Sequence, residues 1–395
     1  MVSEFDKNLN ISYVEDNLET PSQKLIFKHC ICSYIVYLLI YIILRYNPFF
    51  NDFFNPILRQ IYMTAFVCYI FLAPVVYFIA KPKTLHKSHN IEVCNYFLRI
   101  FKQIFNKNTV LNKDYLSILK SFIPTYNEKQ AIMLIFIKLF FGCLMANFLN
   151  NDINAIKDIF ENYKNIFLNT TSDSVIDYLK QIFSDNNQFF YNSTVTILFT
   201  IDVLFFVIGY LTECSFLKNK IRTVDTNILG VIFCLMCYPP FNRITTTFLG
   251  WNQSDNPAGL DYLPPYINWG IRITALFFLL IYALASVALG TKASNLTNRG
   301  TVSKFPYNIV RHPAYISKIL FWILTTIPVF FAFFDSPYFN LGEYITHSLL
   351  VICSIIFWCF IYYMRAITEE RHLMQDPEYQ EYAKKVPWRF IPHII

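Results

Sequence analysis

The chain of 395 residues is 55% hydrophobic and only 15% charged, against roughly 45–50% and 25% in soluble proteins, which excludes an ordinary soluble domain and points to lipid. Its net charge of +6 needs no nucleic-acid partner, since a cytoplasmic face meeting anionic lipid accounts for it. Most of the ten cysteines fall inside apolar runs, where free cysteine is a small hydrophobe, so neither a disulfide framework nor a metal site is expected.

In chain order, a polar stretch at 1–24 carrying Glu4, Asp6, Glu15, Asp16 and Glu19 comes first. It reads as a retained, mobile tail with no cleavable signal. About eight apolar runs follow, at 25–44, 61–80, 131–149, 195–211, 226–238, 267–289, 316–334 and 344–364. They are read as spans of a hydrocarbon core of about 30 Å; the fifth is the shortest, and Pro239 and Pro240 close it. The expected fold is an all-α polytopic transmembrane helix bundle with amphipathic interfacial helices. Residues 25–289 would hold the first six spans, and residues 290–395 a C-terminal region with the last two.

Lysine and arginine collect in alternate connections: Lys81, Lys83, Lys87, Arg99, Lys102, Lys107, Lys113, Lys120 and Lys129, then Lys218, Lys220 and Arg222, then Lys292, Arg299, Lys304 and Arg311, then Arg365, Arg371, Lys384, Lys385 and Arg389. The positive-inside bias makes that side cytoplasmic, and an even number of spans then puts both termini there. A bacterial inner membrane is expected, or the endoplasmic reticulum in a eukaryotic cell. Between spans two and three, Phe97, Leu98, Phe101, Ile104 and Phe105 recur at helical spacing among basic residues, the pattern of a helix lying on the membrane surface. Beyond span three, Ile156, Ile159, Phe160, Tyr163 and Phe167 form one apolar stripe and Ile176, Leu179, Ile182 and Phe183 another, which predicts a helical hairpin.

Chemistry concentrates near the C-terminus. In Arg311-His312-Pro313 the proline pushes His312 out of helical geometry and suits the first turn of the helix that follows, so His312 is placed as its cap. Unpaired N–H groups at that helix start, with Arg311, favour an anion. An interfacial pair holding lipid phosphate is an equally good reading of these residues alone. Glu369 and Glu370 leave the end of the next span at the same edge, where a carboxylate can accept hydrogen bonds from ribose hydroxyls or offset a sulfonium. An ordinary solvated helix end is the competing reading. Asp202, a carboxylate inside a span, calls for a partner or a cavity, with Arg272 and Lys138 as candidates. The CYPPFN segment at 237–242 ends a helix abruptly, and 251–265 is rich in turn residues.

With Pro306-Tyr307-x-x-Val310-Arg311-His312-Pro313-x-Tyr315, the Glu369-Glu370 pair and the closing EY-x-x-Y-x-x-x-V-P-x-x-IP pattern at 378–392, about the last hundred residues resemble the membrane methyltransferases related to isoprenylcysteine carboxyl methyltransferase and phospholipid N-methyltransferases. The resemblance implies S-adenosylmethionine held at the cytoplasmic mouth by Tyr307, Arg311, His312, Pro313, Tyr315, Glu369 and Glu370. It also implies a lipophilic acceptor coming from the bilayer, and a catalytic set of Arg311, His312 and Arg389 that aligns acceptor and methyl group. Where that family often has glycine, this chain has Phe305 and Ser317, which narrows the room for the cofactor against the backbone. Membrane sterol reductases that use NADPH carry a related RHP segment and are the alternative, although the acidic pair suits an amino acid tail better than a 2′-phosphate. A transporter or a structural membrane protein ranks third, because no inverted repeat or pair of broken helices can be made out.

If the C-terminal elements form one mouth, cysteines introduced at Lys304 and Lys384 will react with a membrane-impermeant thiol reagent from the same side. Labelling from opposite sides would dismantle the composite site.

Overall fold

The structure is a computed structural model and describes residues 19–50, 56–105, 122–169, 175–183, 189–213, 216–251, 254–255, 263–334 and 340–394. Most of the expected tail, Lys107, Lys113 and Lys120, and much of the turn-rich stretch 251–265 lie outside the described residues. Seven helices are long and apolar enough to cross a membrane, so the chain is an all-α, multi-pass bundle. The chain divides into two compact units, Met1–Ile135 and Phe136–Ile395.

In the first unit, α1 (Gln23–Tyr46) starts at Ser22, whose hydroxyl accepts from the Leu25 amide as an N-cap. It packs against α2 (Pro56–Ala80) and α3 (His89–Ile104). Along α2 only Ala73 is buried, as befits a helix whose apolar side chains face lipid. Ile91 and Val93 turn α3 inward, while Phe97, Leu98, Phe101 and Ile104 are exposed. The aromatic stripe read from the sequence therefore faces away from this unit, as an interfacial helix requires.

Helix α4 (Tyr126–Asn169) runs unbroken for 44 residues, about 66 Å at 1.5 Å per residue. The third span and the first arm of the expected hairpin are thus one helix, extending well past a hydrocarbon core. The second arm is the short α5 (Val175–Ile182); the bend between the arms falls outside the described residues.

The core of the second unit lies where α6 (Phe189–Leu211), α9 (Pro265–Leu289), α10 (Pro313–Phe334) and α11 (Leu341–Leu373) meet. Ala275, Leu279 and Ala283 of α9 pack there with Tyr191, Phe321, Trp322, Trp358 and Tyr362. Small residues on α9 let its backbone approach its neighbours, the usual way apolar helices associate without a water-driven gain. The expected boundary at 289/290 lies inside this unit, where α9 and α10 pack along each other.

The fifth apolar run does not form a span. It folds as α7 (Ile228–Leu235), eight residues long and about 12 Å by helical rise, followed by the turn at Pro239-Pro240 and α8 (Ile244–Leu249). Gly250, at φ 67°, stops α8 and donates its amide to Thr246. Among the described residues seven helices are long and apolar enough to span, an odd count in place of the even one from which both termini were expected on one side. Before α7, β1 (Thr223–Val224) pairs antiparallel with β2 (Thr297–Asn298), and α12 (Pro377–Lys385) follows α11.

Gly209 of α6 is pressed against the strap leading to β2, where a Cβ would lie 1.9 Å from the Ala293 carbonyl oxygen. Gly209→Ala is expected to lower stability by about 1–3 kcal/mol through overpacking. Gly142→Ala, whose Cβ would rest at 3.8 Å from Tyr210 Cβ, should be neutral or stabilising by up to about 1 kcal/mol. Thermal unfolding in detergent distinguishes the two, and equal effects would refute the close approach.

Candidate functional site

The start of α10 is built by two short chain segments lying side by side. The Arg311 and His312 amides donate to the Trp388 and Arg389 carbonyls, both at 2.9 Å. The RHP and VPWRFIP motifs are therefore backbone neighbours. The His312 carbonyl accepts from the Tyr315 and Ile316 amides, which makes His312 the cap that the following proline predicted.

Glu370, from the end of α11, closes this corner. Its Oε1 accepts from Arg311 Nε at 2.7 Å and His312 Nε2 at 3.0 Å. Its Oε2 accepts from Arg389 Nε at 2.8 Å and Arg311 Nη2 at 3.3 Å. The remaining Arg311 nitrogen, Nη1, donates to the Val386 and Pro387 carbonyls at 3.0 and 2.9 Å. Both Glu370 and Arg311 are buried. With Nε2 bonded to a carboxylate, His312 carries a proton on that nitrogen. The hydrogen bond to Glu370 also holds the Arg389 guanidinium above its already high ordinary pKa.

Glu369 is turned the other way. It lines a cavity of about 470 Å³ between α4, α6, α9, α10 and α11 and accepts a short hydrogen bond from the Tyr315 hydroxyl. The Tyr315 ring stacks on His312 with centroids 5.1 Å apart, and the Arg365 guanidinium lies 4.9 Å from its centre. Arg365 Nη2 donates to Asn295 Oδ1 at 2.6 Å, and Asn295 Nδ2 in turn donates to the Tyr238 hydroxyl at 3.0 Å. Tyr307 also lines the cavity, its carbonyl accepting from the Tyr382 hydroxyl at 2.7 Å. Burial, reinforced by Glu369 and Tyr382 nearby, holds the Tyr307 phenol well above its usual pKa, so it stays a neutral donor.

All the predicted site residues meet at this corner, but they divide. Tyr307, Arg311, His312, Tyr315 and Glu369 line the cavity, whereas Pro313, Glu370 and Arg389 do not. The two departures from the glycine pattern leave the cavity unobstructed. Phe305 is exposed, away from the wall, and Ser317 is buried with its hydroxyl donating to the Pro313 carbonyl at 2.7 Å.

Asp202 faces the same cavity, with partners other than those expected. Tyr282 donates to it at 2.7 Å, and Ser286 donates a short bond. Lys138 pairs with Glu213 at 3.1 Å, and Arg272 lies over the rings of Trp269 and Tyr191. A tyrosine and a serine on α9 carry no charge pattern, so a search for opposite charges passes over them.

Asn295 and Asn298, with Arg299 read in the sequence only as a cytoplasmic positive charge, are structural contributors to this corner. Buried Arg299 donates to the Asn219 and Gly209 carbonyls at 2.6 and 2.7 Å and to Ser294 Oγ at 2.8 Å. Asn298 Nδ2 and Arg222 Nη1 donate to Asp376 at 2.8 and 2.7 Å. Burial alone would push the Asp376 carboxyl up, but these bonds bring it below its ordinary value. The one available signal was the Asn298-Arg299-Gly300 turn, where Gly300 has φ 88°.

Glu370→Gln is expected to cost about 3–5 kcal/mol, because buried Arg311 would lose its carboxylate. Arg389→Gln, with a side chain 38% exposed, should cost about 1 kcal/mol or less. Unfolding midpoints in detergent would measure both, and equal losses would contradict the burial order. In comparisons with known proteins, no family model, no curated protein and no solved structure matches the chain.

Proposed function

We propose that the chain is an integral membrane methyltransferase that uses S-adenosylmethionine and acts on a lipophilic acceptor. The observation that carries this reading is the convergence of Tyr307, Arg311, His312, Tyr315 and Glu369 on the wall of one cavity of about 470 Å³. That volume is within the range of about 300–1,000 Å³ usual for small-molecule sites.

The chemistry of the wall fits such a cofactor. A carboxylate, Glu369, stands fixed by Tyr315, and a buried guanidinium, Arg365, lies one turn back along α11 with Asn295, so both signs of charge are offered to a zwitterionic ligand. Tyr307 adds an aromatic side chain to the same wall. When bound, the cofactor supplies an electrophilic methyl group. This chain's residues have to orient and shield it, because methyl transfer depends on alignment more than on proton shuttling. Glu369 offsets positive charge in a partly dry wall, where such a contact counts for more than in water. Met145, Phe148 and Phe199 supply apolar lining for a lipophilic acceptor.

One observation favours a second reading, nicotinamide-dependent reduction. Lys292, Arg299 and Arg365 also line the cavity, and a 2′-phosphate calls for such cations. Arg299 is already engaged by two carbonyls and a hydroxyl, which leaves the sulfonium reading ahead.

Titration calorimetry on the purified protein should show binding of S-adenosylmethionine or its homocysteine product. Glu369→Ala and His312→Ala should weaken it about tenfold or more, the scale of one charged hydrogen bond, and both more than Asp202→Ala does. Binding of NADPH with no binding of the sulfonium cofactor would overturn the proposal.

A further inference from the structure

Deeper in the same cavity, one turn along α10 from Tyr315, stands Lys318. Its ammonium is 4.8 Å from the ring centre of Tyr282, 5.1 Å from Phe199 and 5.2 Å from Trp322. Three rings around a cation stabilise it from the side, but they accept none of its three N–H bonds in the way an oxygen does. Among the described residues, Lys318 makes no hydrogen bond or ion pair. Asp202, a carboxylate on the same wall, takes its hydrogen bonds from Tyr282 and Ser286 and meets Lys318 through charge alone. A lysine inside a membrane span whose donors face a cavity is by default a ligand-contact candidate.

The surrounding wall narrows the choice of ligand. Phe199 lies beside Lys318, and Phe206, Met145 and Phe148 add apolar lining elsewhere in the cavity, which suits an acyl or prenyl chain. The ligand therefore needs one anionic group within reach of Lys318 and a hydrocarbon body.

We infer that Lys318 anchors the acidic group, carboxylate or phosphate, of an amphiphilic ligand, and that the acceptor is therefore an acidic lipid rather than a neutral or cationic one. The assignment of this amphiphile as the methyl acceptor rests on the methyltransferase reading; the anion subsite itself does not. Asp202 sets a limit on the subsite: its negative charge opposes an anion at Lys318, so neutralising it should strengthen binding.

The test is equilibrium binding of radiolabelled oleate to the full-length protein in a neutral maltoside detergent without added cofactor, with unlabelled oleyl phosphate, oleyl alcohol and oleylamine as competitors. The acids should compete at least tenfold better than the alcohol or amine, and whichever of carboxylate and phosphate competes better identifies the headgroup. Lys318→Gln should bring the acids down to the level of the alcohol, Lys318→Arg should keep the preference, and Asp202→Asn should tighten oleate binding severalfold. S-adenosylmethionine calorimetry on the same preparations separates the two claims. An acid preference that depends on Lys318 without cofactor binding would leave the subsite standing and sink methyl transfer. A preference unchanged in Lys318→Gln, or an alcohol that competes as well as the acids against the unsubstituted protein, would overturn the subsite. If Lys318→Gln does not fold, Asp202→Asn decides, and unchanged oleate affinity there would also overturn it.

Discussion

The second unit turns on one buried carboxylate. Glu370 receives Arg311, His312 and Arg389, and those three residues come from the start of α10 and from the closing segment of the chain. An ion taken out of water at this depth is tolerable only with its lone pairs answered, and here each oxygen has two donors. Satisfying Glu370 therefore brings together the end of α11, the mouth of α10 and the VPWRFIP segment. The adjacent Glu369 is rotated about 100° around the helix. With Glu370 facing the corner, Glu369 is turned onto the cavity wall. Two identical neighbours in sequence thus divide into a residue that holds the mouth together and one that faces the cavity.

A second set of contacts holds the floor of the mouth. The strap through 290–302 carries Arg299, whose donors reach the Gly209 and Asn219 carbonyls, and Asn298, which reaches Asp376. Gly209 is required because no Cβ fits under the Ala293 carbonyl. The depressed Asp376 carboxyl gives these contacts a pH sense. Its contribution is complete above the ordinary carboxylate range and fades as pH falls through the lowered value. Loosening the strap would move Asn295, and with it the Arg365 guanidinium over Tyr315.

The α-helical class, the long apolar helices and the cap at His312 were legible in the sequence, because each follows from local composition or from the geometry proline imposes. The acidic pair was also legible, but its division of labour was not: which glutamate faces inward depends on the roll of α11, which is set by Trp358 and Tyr362 packing against Trp322. The fifth run misled because apolar content does not reveal that a helix stops after eight residues. The partners of Asp202 were missed for a related reason. Inside a bundle, a hydroxyl one helix away answers a carboxylate as readily as a distant cation, and hydroxyls leave no charge signature in a sequence.

The helices that form the cavity share a graded pattern. Arg311 stands at the mouth just before α10, along which the facing residues run Tyr315, Lys318 and Trp322, at spacings of three and four. Along α11, in the opposite chain direction, they run Glu369, Arg365, Tyr362 and Trp358. Such spacing keeps one stripe on one helical face. Both stripes pass from charge at the mouth through aromatic edges to a tryptophan core, with Lys318 as the last cation before the core. A polar ligand is favoured at the outer level and a hydrocarbon at the inner one. An amphiphile bound here is therefore oriented by the wall itself, its acidic headgroup held at the level of Lys318 rather than among the tryptophans of the core.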